Sequence, residues 1–204
     1  MKIDQDLIKE LQTDDGHMGE VTYDPGYQKL PRREVIINEL KKMNIKNVVH
    51  IGCCGHLKNI KKQIENKTSL HMLLIQNFEK VIGFDINGEA VQFFSKYAEN
   101  IYARDVLKNS DEILSIIHDS FGEEPYVVLI PEVLEHTPNP VAFLEYIHKS
   151  YCRAEDKIVI TVPNAYGFGR ICDALFHNKE CMNMDHKYTF TPTTLLKVMV
   201  EAGI

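Results

Sequence analysis

Five short runs of β-branched and aliphatic residues punctuate the chain: KNVVHIG (46–52), EKVIGFDI (79–86), ENIYARD (99–105), PYVVLIPE (125–132) and DKIVITVPN (156–164). Runs of this length, closed by glycine, proline or an acid, predict buried strands. Between them apolar positions recur every three to four residues in LHMLLIQNF (70–78), GEAVQFFSKYA (88–98), SDEILSIIHDSF (110–121) and NPVAFLEYIHKSY (139–151), which predicts amphipathic helices. A further helix leads in from Pro31, with Val35, Ile36, Leu40 and Met43 on one face and proline in the first turn. Strands alternating with helices predict βαβ units with right-handed crossovers. The fold class is therefore α/β, a doubly wound, mainly parallel sheet with helices on both faces.

Two segments break this rhythm. Residues 1–30 are polar, carry the turn signals TDDG and DPG, and read as an N-terminal arm or cap, leaving 31–204 as the main domain. The run HLKNIKKQIENKTS (56–69) is longer than the two to six residues usual between a strand and its helix. It carries Lys58, Lys61, Lys62 and Lys67 against Glu65, and reads as a solvated insertion whose lysines could recruit an acidic acceptor.

Composition narrows the function classes. The 204 residues are 44% hydrophobic and 25% charged, an ordinary water-soluble makeup with enough apolar material for one sizeable core. A net charge of −6 argues against a sequence-independent grip on nucleic-acid phosphates. With no leader-like N-terminus and no apolar run near the roughly 18 residues that span a bilayer, a cytoplasmic protein without membrane insertion is expected. The odd cysteine count (Cys53, Cys54, Cys152, Cys172, Cys181) points to reduced thiols, with Cys152 and Cys172 as small buried hydrophobes. No C-x-x-C pair exists and no metal is expected.

The first strand ends in Gly-Cys-Cys-Gly. In doubly wound sheets ligands bind beyond the carboxyl ends of the strands, and the first strand feeds the glycine turn of that site. Gly52 and Gly55 are the positions where backbone can meet a ligand without a Cβ between. Asp85, closing the second strand, is placed to accept both hydroxyls of a ribose. A dinucleotide site wants G-x-G-x-x-G and a helix opening at once, the glycines admitting a pyrophosphate. Here the second and third glycines are missing, which disfavours a nicotinamide oxidoreductase and favours a nucleoside without phosphate, commonly S-adenosylmethionine.

From Lys46 to Ile204 the chain resembles the class I S-adenosylmethionine-dependent methyltransferases. VVHIGCCG looks like their first motif, VIGFDI like the ribose-binding motif, ARDVL like the adenine-contacting motif, and IPEVLEHTPNP like the fourth-strand motif. IVITVPN and DHKYTFTPTTLLKVMVEAGI follow in the places of the fifth strand and a late substrate-side helix. The basic insertion is similar to a bacterial subgroup linked to polysaccharide or other sugar modification. The resemblance implies a Rossmann-like sheet of order 3-2-1-4-5, with the usual C-terminal antiparallel pair missing and an exposed edge that a second copy could cover. It implies cofactor contacts from Ile51, Gly52, Cys53, Cys54, Gly55, Asp85, Ile86, Asp105, Val106, Glu132 and Val133. His50 stands where the family has an acid, and Cys54 where it has its middle glycine. The Cys54 side chain must therefore point away from the cofactor or crowd it, with binding surviving but weakened.

Methyl transfer needs an acceptor held at near-attack distance, and a hydroxyl acceptor is helped by a base. His136, just past the fourth strand, is the first candidate, against a role in orienting the following helix. His186, beside Asp185, is the second, against a lid contact with Tyr188 and Phe190. Glu132, Glu135 and His136 carry metal-type donors but read better as a solvated or substrate-facing group. Tyr166, Phe168 and Arg170 are candidate walls of an acceptor pocket, with core packing of the aromatics as the alternative. The implied reaction is methylation, at oxygen, of a small-molecule or glycan-linked acceptor. The alternative is a non-catalytic cofactor-binding or partner-binding module.

Overall fold

Val48, Val49, His50 and Ile51 are all buried, because β1 (Asn47–Ile51) is the middle strand of a sheet covered on both faces. The computed structural model describes residues 5–12 and 31–204, so most of the expected N-terminal arm lies outside the described residues. Five strands form the sheet: β1, β2 (Lys80–Asp85), β3 (Ile101–Ala103), β4 (Tyr126–Pro131) and β5 (Lys157–Thr161). Their order is β3-β2-β1-β4-β5 and every pairing is parallel. This is the expected Rossmann-like arrangement, with β1 flanked by β2 and β4 where the strand order reverses.

The described chain divides into two compact units. One holds the whole sheet, in Lys29–Pro131 and Lys149–Thr161. Its helices are α2 (Arg32–Lys42), α3 (Leu57–Glu65), α4 (Leu70–Asn77), α5 (Gly88–Phe94) and α6 (Ser110–Phe121). Ile36, Ile37 and Leu40 of α2 and Leu74 of α4 close over Val48, Val81, Val127 and Leu129. Val48 is the register partner of both Val81 and Val127, so one residue from each central strand builds a single apolar row. A second cluster joins Ile60 of α3 to Ala90, Val91 and Phe94 of α5 and to the turn residues Cys53 and Cys54. Burying such side chains stabilises by about 1.5–3 kcal/mol each.

The other unit comprises Glu132–His148, Val162–Ile204 and the N-terminal segment. It holds α1 (Gln5–Gln12), a 3₁₀ turn at Leu134–His136, α8 (Phe168–His177) and α9 (Pro192–Glu201). Helix α7 (Pro140–Tyr151) runs across the division in the chain. α1 packs on α9, and α9 opens with a reciprocal Thr191–Thr194 capping box ahead of Pro192. Asn164 and Phe190 form an isolated parallel bridge.

Three expectations are corrected. The lysine-rich run 56–69 is not an irregular insertion: α3 begins at Leu57, directly after the turn. Leu57, Ile60 and Ile64 recur at helical spacing and pack against α5, while Lys61 lies over the Phe93 ring at 5.5 Å. The case against a dinucleotide thus loses its missing helix and keeps its missing glycines. Cys152 and Cys172 are half-buried rather than core, and all five cysteines are free thiols. Tyr166 and Phe168 are exposed, Phe168 to 83%, so core packing does not account for them.

Candidate functional site

The turn after β1 continues the strand pairing for one residue and then leaves the sheet. Gly52 N–H donates to the Phe84 carbonyl at 2.8 Å, and the chain then doubles back through Gly52 and Gly55 at φ of +73° and +63°. These left-handed conformations are the reason for glycine at both ends. A Cβ at Gly55 would meet nothing within 4 Å, so the main chain at Gly55 faces open space. The intervening thiols turn inward: Cys53 and Cys54 are both buried in the α3–α5 cluster. The Cys54 side chain therefore does not project from the turn into solvent. Burial pushes the Cys53 thiol well above the usual range, with the neighbouring Cys54 adding to the shift.

Asp85, at the tip of the adjacent strand, braces this turn. Oδ2 accepts from Cys54 N–H at 2.8 Å and Gly55 N–H at 2.9 Å, while Oδ1 accepts from Asn87 N–H at 2.9 Å. Three of about four carboxylate lone-pair positions are thereby used. One is left on Oδ1 for a ligand hydroxyl; gripping both hydroxyls of a ribose requires Oδ2 to release a turn amide. Asn87, which sequence reasoning missed, ties the same parts together. Its amide donates to the Gly55 carbonyl at 3.0 Å and its Oδ1 caps α5 through Ala90 N–H. Beside them Ile86 is 79% exposed, a large apolar side chain left in solvent at a strand tip.

Other expected cofactor residues divide. Ile51, Cys53, Cys54 and Val106 are buried, so their side chains are not presented to solvent. Asp105 lies just past β3, whose Ala103 is the register partner of Asp85. Burial raises the Asp105 pKa, but hydrogen bonds from Lys108 and the Leu107 N–H outweigh it and hold the carboxyl below its ordinary value. Glu132 and Val133 belong to the other unit, directly after β4 in the chain. Glu132 adopts φ +54°, a strained conformation for a non-glycine residue and one found disproportionately at functional sites.

His50, in place of the family's acid, has a partner that periodicity could not reveal. Its Nδ1 stands 3.1 Å from Nδ1 of His71 on α4, both residues buried. Two imidazoles can share one hydrogen bond only if one donates and the other accepts, and burial of both favours the neutral pair. Burial drives both pKa values down, His71 to about 4. His71 Nε2 is buried without a hydrogen-bond partner.

Within the other unit the 3₁₀ turn and the segment before α9 meet. Lys187 N–H donates to the Glu135 carbonyl at 2.7 Å, Lys187 Nζ donates to the His136 carbonyl, and Tyr188 Oη donates to the Pro138 carbonyl at 3.0 Å. This brings His136 and His186 edge to face, with ring centroids 4.6 Å apart. Asp185 faces His136: Nδ1 of His136 lies 3.3 Å from the Asp185 carbonyl and 3.6 Å from its carboxylate. A bond to a carbonyl requires Nδ1 to carry the proton, which leaves Nε2 of neutral His136 with its lone pair. His186 Nε2 is 3.8 Å from the buried Glu135 carboxylate. Burial, followed by the neighbouring His136, lowers the His186 pKa. Donor atoms of Glu135, His136 and His186 all lie within 4.8 Å of one another, a set suited to a divalent cation. The carboxylate–imidazole group read from the sequence thus forms, with His186 in place of Glu132.

No protein-family model matches the chain, and no curated protein matches it. Among solved structures it is similar to the small RNA methyltransferase HEN1, at 12% identity and a TM-score of 0.49, over 91% of this chain and 23% of that one. Among the described residues no helix is long and apolar enough to cross a membrane.

Proposed function

We propose that this chain is an S-adenosylmethionine-dependent methyltransferase acting on a small-molecule or glycan-linked hydroxyl. The observation that carries this reading is the turn Gly52–Gly55, open at Gly55 and pinned to Asp85 at the switch point of an all-parallel sheet. Its residues fit a nucleoside: open main chain at Gly55, a remaining lone pair on Asp85 for a ribose hydroxyl, and Ile86 as an apolar surface for a base. The thiols at 53 and 54 do not intrude. When bound, the cofactor supplies an electrophilic methyl group on a sulfonium.

The chain's own contribution is positioning and proton removal. His136 accepts the acceptor's proton at Nε2, while Asp185 holds Nδ1–H and stabilises the imidazolium that forms. His186, its pKa lowered, stays neutral near pH 7 and serves as the second base or orients the acceptor. A second reading of the same cluster rests on its donor geometry: Glu135, His136 and His186 would hold a divalent cation that polarises the acceptor oxygen.

Incubating the protein and isotopically labelled cofactor with a cell extract, and with sugar, small-molecule and RNA panels, tests the reading. Mass spectrometry is expected to find label on an oxygen of a sugar or small molecule. Label confined to RNA would overturn the acceptor class. Tight S-adenosylhomocysteine binding without turnover would favour the non-catalytic module, and loss of turnover on chelation would favour the cation.

A further inference from the structure

We infer that the two adjacent thiols of the glycine turn, Cys53 and Cys54, form a binding site for a thiophilic d¹⁰ cation such as zinc. Their sulfurs lie 3.6 Å apart, and one oxygen of Asp85 lies within 4.8 Å of both. Two thiolates on one tetrahedral ion, at metal–sulfur distances of about 2.3 Å, stand about 3.8 Å from each other, so the pair is already set at ligand spacing. His71 lies beside the Cys53 thiol but outside this group of three donors. The Cys53 sulfur and Cε1 of His71 each lie 2.8 Å from the point a Gly83 Cβ would occupy, so only glycine at 83 lets thiol and imidazole share that space.

The atom bonded to that Cε1 is Nε2 of His71, buried and without a partner. In the tautomer where His71 donates Nδ1–H to His50, Nε2 keeps its lone pair. Two thiolates, the Asp85 carboxylate and a divalent ion sum to −1, and the Cys54 and Gly55 N–H groups that donate to that carboxylate offset part of it. Binding converts two thiols to thiolates and releases two protons per ion. The ion also draws on the carboxylate that braces the turn, so ion and nucleoside oppose each other; this second part rests on the cofactor reading above.

The test uses the full chain with Cys152, Cys172 and Cys181 replaced by Ser, under a phosphine reductant, titrated with cadmium(II) alone. One equivalent is expected to produce the thiolate-to-cadmium charge-transfer band of two thiolates, lost in Cys53→Ser and in Cys54→Ser. Cadmium NMR of the unmutated pair reports sulfur ligation independently of whether those variants fold. No charge-transfer band, or a chemical shift of oxygen and nitrogen ligands only, overturns the site. Saturating S-adenosylhomocysteine is expected to weaken cadmium binding at least tenfold, and unchanged binding removes the antagonism. A chain that binds cadmium through two thiolates but no S-adenosylhomocysteine keeps the metal site and loses the cofactor reading.

Discussion

The Asp85 carboxylate receives the backbone N–H groups of Cys54 and Gly55 on one oxygen, at 2.8 and 2.9 Å. An acid at the tip of β2 thereby sets the shape of a turn that leaves β1. The same carboxylate is the anchor proposed for the ribose, so its replacement acts on folding and on binding together. Hydrogen bonds to a charged group contribute about 1.5–3 kcal/mol each. Asp85→Asn is expected to lower unfolding free energy by about 2 kcal/mol or more and to weaken S-adenosylhomocysteine at least tenfold. Denaturant titration and calorimetry read the two effects; a variant unchanged in both would remove Asp85 from either role.

The neutral His50–His71 pair makes stability sensitive to acid. Unfolded histidine titrates near 6.5, and in the fold burial holds His71 to about 4 and His50 well below its ordinary value. Between these values the unfolded chain binds protons that the native chain refuses, so stability rises with pH. It is full above about pH 6.5 and declines as pH falls toward 4, His71 alone accounting for about 3 kcal/mol. Thermal melts between pH 4 and 7 should show that slope, reduced in His71→Leu. An unaltered slope in the variant would place the acid sensitivity elsewhere.

Proton removal by His136 and His186 separates chemistry from cofactor binding. His136→Gln is expected to lower kcat by 10²–10⁴ with S-adenosylhomocysteine affinity kept. Asp185→Asn should lower it less, since the carbonyl contact to Nδ1 survives the change. Where His186 is the base that titrates, its depressed pKa lets kcat/KM hold through pH 6.5 and fall only as pH drops below it. A plateau that collapses well above pH 6.5 would exclude this histidine as the titrating base.

Helix α3 separates core from charge. Ile60 is wholly buried between the turn and α5. Ile60→Ala should cost about 2–5 kcal/mol. Lys62→Glu, on the exposed side of the same helix, should change stability by less than about 0.5 kcal/mol. If turnover of an acidic acceptor at low salt is unchanged in Lys61→Glu and Lys62→Glu chains, the recruiting role read for these lysines is lost.

Hydrophobic periodicity alone placed the five strands, and the glycines and acid at their tips located the turn, because both signals are local. What stayed hidden was of two kinds. Four lysines between positions 58 and 67 masked the Leu57–Ile60–Ile64 stripe and made a helix read as an insertion. The other kind is contact across long stretches of chain: His50 with His71, His136 with Asp185, and the carboxylate of Asp85 with the amides it braces. No spacing rule connects residues 21 or 49 positions apart. Asn87 had a local signal, an Asn three residues before Ala90 at a helix start, but its bond to Gly55 needed the fold.

Gly55 tests the central claim most directly, because a methyl group there meets no protein atom and so reports on a ligand. Its left-handed φ costs an alanine about 1–2 kcal/mol, little enough for the chain to fold. Calorimetry should show one S-adenosylhomocysteine bound per wild-type chain and affinity at least tenfold weaker in a folded Gly55→Ala chain. Wild-type protein that binds no S-adenosylhomocysteine, or a Gly55→Ala chain that binds it equally well, would contradict the account.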